Sequence, residues 1–422
     1  MLFRWLYTLI LTFFAPFLLF SLYRTQQGKP SVGSRWKEHF GFTPKLDSSK
    51  KPIWIHAVSV GETLAVAPLI KQLKHEHPDT EIVLTTTTPT GASQAAKLSK
   101  LVSHRYMPLD FPFAIKGFIK AIKPSKLIIM ETELWPNTLY TVNQNGISIS
   151  VINARLSERS YLRYSKVQPI FNLLSKNIDQ VLCQYQNDAD RFVKLGVDSD
   201  KIKVTGSIKF DISIEPSHIA QGDQLRKQLG NERPIWIAAS THFNEDEQII
   251  EAHREILQSV PNALLILVPR HPERFNYVYE LCREEGFVTQ RRTNINEEKL
   301  HTTEIYLADT MGEMLTLIQA ADICFIGGSL IGDKAGGHNV LEPAALAKPV
   351  LSGPSYYNFT DIVQKLLTHN AIIITHSSIE ISKVILELLS DQRRLSHQGE
   401  LSLRCINENR GALVNTMRLI TK

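Results

Sequence analysis

Two glycine pairs, Gly327 with Gly328 and Gly336 with Gly337, follow the apolar run 322–326 and precede a helical pattern over 341–347. Glycine lets a backbone approach an anion closely, and a helix amino end offers unpaired N–H groups and a positive dipole to phosphate. Asn339 and Glu342 open that helix, where their side chains reach a sugar hydroxyl beside the phosphate. The loop therefore reads as a cradle for a nucleotide sugar, with a tight βα turn as the plainer alternative. Two further strand ends add to it. Arg270, after Pro269 and the apolar run 263–268, carries a planar fork of donors suited to phosphate. The turn over 309–314 exposes backbone around Gly312, between Met311 and Glu313. A cation, an exposed glycine turn and a helix start with a carboxylate together suit a nucleoside phosphate.

A different inventory lies earlier in the chain. Glu62 and Glu131 each follow an apolar run, and both are expected to point into a cleft. An inverting sugar transfer needs one carboxylate to take the proton of the attacking hydroxyl, on the face opposite the leaving group. A nucleotide phosphate leaves readily, so fixed cations replace a general acid, and Lys209 and Arg270 are the candidates. A helix amino end lowers a carboxylate's pKa and a dry cleft raises it; for Glu62 the sequence holds both effects, and a capping role besides. Arg155, Arg159 and Arg163 recur every four residues, one basic face if the helix is continuous, for lipid headgroups, an anionic acceptor or plain solvation. Asp188 with Asp190 and Asp198 with Asp200 match the D-x-D pattern of metal-dependent transferases, but they fall in helix and turn segments and read as surface carboxylates. His75 and His77 have no third ligand nearby, so no metal is expected.

What must position these groups is an alternation of apolar runs and helical patterns. Runs at 52–58, 81–85, 104–108, 126–130, 147–152, 180–183 and 202–205 predict one parallel doubly wound sheet, and those at 234–239, 263–268, 305–307, 322–326 and 349–351 predict a second. The expected class is α/β with the GT-B architecture: two Rossmann-like lobes facing a cleft, with ligands at the carboxyl ends of strands. The expected divisions are a membrane-anchor helix over 1–24, a first domain over 25–211, a linker over 212–233, and a nucleotide domain with terminal helices over 234–422. Bilobal binding proteins share this architecture, so fold alone does not give function.

At 422 residues and 43% hydrophobic content, the chain accommodates two or three cores. Its four cysteines are far apart, which argues against a disulfide framework and fits a reducing compartment. A net charge of +5 is too mild to argue for nucleic acid. Residues 5–23 carry no charge between Arg4 and Arg24 and would extend roughly 28 Å as a helix, close to a bilayer's hydrocarbon thickness, with a kink at Pro16. The basic residues that follow put the body of the protein in the cytoplasm, and the lack of a small-residue cleavage site favours an uncleaved anchor over a signal peptide. Spanning and lying in one leaflet both suit its aromatic residues.

Over essentially its full length the sequence resembles the 3-deoxy-D-manno-octulosonic acid (Kdo) transferases of lipopolysaccharide assembly. The stretches that carry the resemblance are 59–63, 88–91, 131–137, 153–157, 205–207 with 209–211, 269–274, 309–313, and 336–339 with 341–342. The resemblance implies a GT-B enzyme on the cytoplasmic face of the inner membrane that moves Kdo from CMP-Kdo to a lipid A precursor, lipid IVA. It implies inversion, no metal or other cofactor, and contact with membrane lipid but not with nucleic acid. It also implies Glu62 as the base toward a glucosamine hydroxyl and Glu131 and Lys209 as transition-state stabilisers. Pro269, Arg270, Met311, Gly312, Glu313, Asn339, Val340, Leu341 and Glu342 would hold CMP. The alternatives are a GT-B transferase or epimerase for another nucleotide sugar, and a non-catalytic membrane-tethered binding protein.

Overall fold

The computed structural model describes residues 2–23, 30–46 and 50–421, and the chain forms two compact units, 1–211 with 410–422, and 212–409. In the first unit, strands β1 (Ile53–His56), β2 (Ile82–Thr86), β3 (Ser103–Tyr106), β4 (Lys126–Met130), β5 (Ser148–Ala154), β6 (Gln180–Cys183) and β7 (Ile202–Val204) form a parallel sheet. Its order is β3-β2-β1-β4-β5-β6-β7, so the winding, the sense in which successive strands are added, reverses between β1 and β4 while all strands stay parallel. Alternate strand residues supply opposite faces. Trp54, Phe118, Phe171 and Phe192 build the core on one face, and Ile55, Leu69 and Leu73 build it on the other with Met417 and Ile420. The helix Ala412–Ile420 thus completes the first unit, although 410–422 was expected in the second domain. Asp211 fixes its start by accepting the N–H groups of Gly411 and Leu413 at 2.7 and 2.6 Å.

The second unit has β8 (Ile235–Thr241), β9 (Leu264–Pro269), β10 (Thr289–Arg291), β11 (Ile305–Leu307), β12 (Ile323–Ile326), β13 (Val350–Ser352) and β14 (Ile373–Ile374). This sheet is also parallel, in the order β10-β11-β9-β8-β12-β13-β14, and reverses between β8 and β12. The segment 212–233, expected as a linker, is mostly the helix Pro216–Leu229. Gly222 lets it lie against Gln319, whose Cβ is 2.4 Å from where a glycine Cβ would stand, and Arg226 ties it to Asp322 at 3.0 Å.

The helix Leu2–Tyr23 forms where the anchor was expected; Met1 and Arg24 lie outside the described residues. Among the described residues no helix is long and apolar enough to cross a membrane. Arg4 and Thr8 give this helix a polar seat on the first unit. Arg4 lies 3.8 Å from the centre of the Tyr140 ring, and both residues meet Asn137, which donates to the Thr8 hydroxyl at 2.9 Å. Asn137 also holds Asp110, through its backbone N–H at 3.0 Å and its side-chain amide at 2.7 Å. On the exposed part of the helix Phe13, Phe17 and Phe20 are 72%, 74% and 70% accessible.

Phe118 is fully buried and lies 4.7 Å from Trp54 between ring centres. Phe118→Ala should cost the first unit about 3–5 kcal/mol by leaving a cavity. In urea, an early transition reported by Trp54 with the 212–409 transition unmoved is the expected result.

Candidate functional site

Glu62 and Glu131 leave the two strands between which the first sheet reverses, β1 and β4. Ser59 caps the helix Val60–Glu76: its Oγ accepts the Glu62 N–H at 3.3 Å and its hydroxyl donates to Glu62 Oε1 at 3.1 Å. The Val58 N–H donates to Oε2 at 2.8 Å. These bonds aim the carboxylate back over the strand end, where burial, with help from Glu131 and Glu133, lifts its pKa from 4.5 to about 7 against the pull of its hydrogen bonds. Desolvation therefore wins the contest that the sequence had left between cleft and helix dipole. Glu131 takes a left-handed backbone, φ 56°, and accepts from Lys209 Nζ at 3.1 Å.

Lys209 comes from a 3₁₀ turn, Ile208–Phe210, beyond β7, and a residue with no assigned role puts it there. Asn153, buried and also left-handed at φ 50°, accepts the Ile208 N–H at 3.2 Å through Oδ1. Its place in the stretch 153–157 was the available signal; its function needed the fold. Arg155, by contrast, does not share a helical face with Arg159 and Arg163. Ser157 caps a helix that begins at Glu158, and the two later arginines are exposed.

In the second unit Arg270, Met311–Glu313 and the loop to Asn339 leave the ends of β9, β11 and β12. With β8 between β9 and β12 these loops span about three strand spacings, roughly 15 Å of one sheet edge. Pro269 ends β9 and Arg270 is exposed, its backbone N–H on Thr241 O at 2.9 Å. Met311 is 60% accessible, and Gly312 permits its turn with φ 87°. Glu313 is gripped by Arg292 at 2.8 and 2.6 Å, which holds its pKa down despite burial. Both line a cavity of about 270 Å³ with Gln221, Gln224, Gln228 and Thr316.

The glycine loop departs from expectation. Its first pair does not wait for a phosphate: Glu245, fully buried, accepts from the N–H groups of Gly328, Ser329 and Leu330 at 2.6, 3.0 and 3.0 Å, and from His242 at 3.1 Å. The helix that follows spans only Leu341–Ala345, shorter than 341–347, because Ala347 turns left-handed at φ 54°. At its start Asn339 donates to Glu342 at 3.0 Å and accepts the Leu341 N–H at 3.1 Å, while Val340 and Leu341 are buried. Burial raises the Glu342 pKa. Among the described residues no group of His, Cys, Asp and Glu is placed to hold a metal.

Residues 34–212 match the family described as 3-deoxy-D-manno-octulosonic-acid transferase (kdotransferase). The chain is 38% identical over 420 residues to the 3-deoxy-D-manno-octulosonic acid transferase of Haemophilus influenzae, covering 99% of this chain and 98% of that one. It is 36% identical to the solved C-terminal CMP-Kdo binding domain of WaaA from Acinetobacter baumannii, over 46% of this chain and 99% of that domain, with a TM-score of 0.42. The UDP-GlcNAc 2-epimerase of Neisseria meningitidis, solved with UDP-GlcNAc, has a TM-score of 0.57 at 13% identity, over 88% of this chain and 98% of that one. At that identity the likeness concerns the fold of two parallel-sheet α/β lobes alone.

A carboxyl raised from 4.5 to about 7 in the folded state penalises folding as pH rises through that window, and the penalty is complete above it. Glu62→Gln keeps an acceptor for Val58 and should raise unfolding free energy by about 1–3 kcal/mol at pH 8, with the gain fading toward pH 4. Urea titrations at both pH values measure it.

Proposed function

The chain belongs to the Kdo transferase family, and on that premise we propose that it moves Kdo from CMP-Kdo to a lipid A precursor, lipid IVA, in lipopolysaccharide core assembly, with Glu62 as the base. The observation that carries the reading is the Glu62 carboxylate at the reversal of the first sheet, its pKa brought to about 7. A base of that strength is ionised for much of the time near neutral pH and still draws a proton effectively. The acceptor hydroxyl gives its proton to Glu62 as its oxygen bonds to the anomeric carbon of Kdo. The bond from that carbon to the phosphate oxygen breaks, its electrons stay on phosphate, and CMP departs. Attack opposite the leaving group inverts the centre.

Lys209, held by Glu131, supplies fixed positive charge to the transition state. Pro269, Arg270, Met311–Glu313 and Asn339–Glu342 hold CMP; their positions on neighbouring strand ends of one sheet support this. The row Phe13, Phe17 and Phe20 supports attachment of the helix Leu2–Tyr23 along the cytoplasmic face of the inner membrane.

A mass-resolved assay with CMP-Kdo and tetraacylated lipid A precursor, run in EDTA, should give Kdo-bearing product. The rate at low donor should rise about tenfold per pH unit below 7 and level off above it, and Glu62→Gln should lower kcat by about 10²–10⁴-fold. Retained turnover in that variant sinks the assignment of the base. CMP should raise the thermal midpoint and UDP should not; the reverse would move the chain toward UDP-sugar chemistry. Replacing Phe13, Phe17 and Phe20 by Ser should abolish cosedimentation with anionic vesicles, and unchanged sedimentation would refute attachment through this helix.

A further inference from the structure

His242, in the loop leaving β8, and His338, in the loop leaving β12, face each other with Nε2 atoms 2.8 Å apart. Their rings are nearly parallel, 10° apart in plane and 5.0 Å between centres. One Nε2 donates and the other accepts, so the accepting ring carries its proton on Nδ1 and has a donor left to offer. His271 stands edge-on to His242 at 5.4 Å, and Arg270 is held at the same strand end by its backbone N–H on Thr241 O at 2.9 Å. Burial first, and then neighbouring basic groups, His271, Arg274 and Arg270 for His242 and His242, Arg270 and His271 for His338, bring both imidazoles down to about 4.

The acids on the packed elements are committed elsewhere. Glu245 serves four backbone N–H groups. Asp246 is paired with Arg274 and accepts the Thr241 hydroxyl at 2.6 Å. Glu273 is exposed and only within 4.0 Å of His271. With Arg274 committed to Asp246 and both imidazoles neutral, Arg270 is, among the described residues, the cation left beside the two rings, a setting that disfavours a further cation and suits an anion. The position is also built: Glu245 binds the His242 N–H and the first glycine turn with one carboxylate, so the loops bearing the two rings share an anchor. The mechanism above leaves both histidines unused.

Resting on the reading of this unit as the donor lobe, we propose that His242 and His338, with Arg270 beside them, contact an oxyanion of the sugar donor, either its phosphate or the carboxylate of the sugar acid. The pair is a specificity determinant: it distinguishes a charged donor from its neutral fragments.

Calorimetry on the full chain with CMP and cytidine, together with steady-state kinetics on CMP-Kdo, tests this in wild type, His242→Gln and His338→Gln. If phosphate is the partner, each variant weakens CMP at least tenfold and leaves cytidine affinity and the thermal midpoint unchanged. If the carboxylate is the partner, CMP affinity holds and KM for CMP-Kdo rises at least tenfold. CMP affinity and KM both within twofold of wild type would overturn the proposal. So would thermal protection by zinc chloride exceeding that by CMP and lost in His338→Gln, which would make the pair a metal site. Failure of the wild type to bind CMP would remove the donor-lobe reading itself, and this contact with it.

Discussion

In a parallel sheet every loop that can carry chemistry leaves from one edge, and neighbouring loops part only where the strand order reverses. Both units of this chain follow that constraint. Between β1 and β4 the parted loops carry Glu62 and Glu131; between β8 and β12 they carry His242 and the first glycine turn. The remaining devices hold these loops open in one geometry. Ser59 turns the Glu62 carboxylate inward, Asn153 brings Lys209 across from the far edge of the sheet, and Glu245 joins two loops from within.

Charge is handled differently at the two reversals. In the first unit carboxylates crowd together, and burial raises Glu62 and Glu133, leaving a group that can accept a proton near neutrality. In the second unit basic groups crowd together and two imidazoles stay neutral, leaving room for incoming negative charge. One arrangement favours taking up a proton and the other favours taking up an anion, which are the two needs of a transfer from a phosphate-activated sugar to a hydroxyl.

The strands with continuous apolar runs were readable because strands buried on both faces have few polar positions. β10 was not, since Thr289, Gln290 and Arg291 form a short polar edge strand, and β14 has only two residues. The helix Pro216–Leu229 read as a linker because its apolar pattern is weak, with Leu225 and Leu229 buried, and the residues its Gly222 lies against, Thr316 and Gln319, come from far along the chain. At the site, residue types and strand-end positions were legible, whereas anything that depends on a distant partner was not. The glycine loop announces an anion, and nothing local reveals that the anion at its first pair is Glu245. Likewise the pKa of Glu62 results from a competition between local hydrogen bonds and burial, and only the packed fold fixes the second.

Asn137 joins two parts of the first unit, the amino-terminal helix and the segment around Asp110. Its amide reaches Asp110 on one side and Thr8 of the amino-terminal helix on the other, and it closes the segment that begins with Glu131. Aspartate at this position would lose the donor, leucine would lose both polar ends, and glutamine would overshoot by a methylene. The residue is held from two sides at once, so a displacement of the helix at Thr8 is felt at Asp110 through a single side chain.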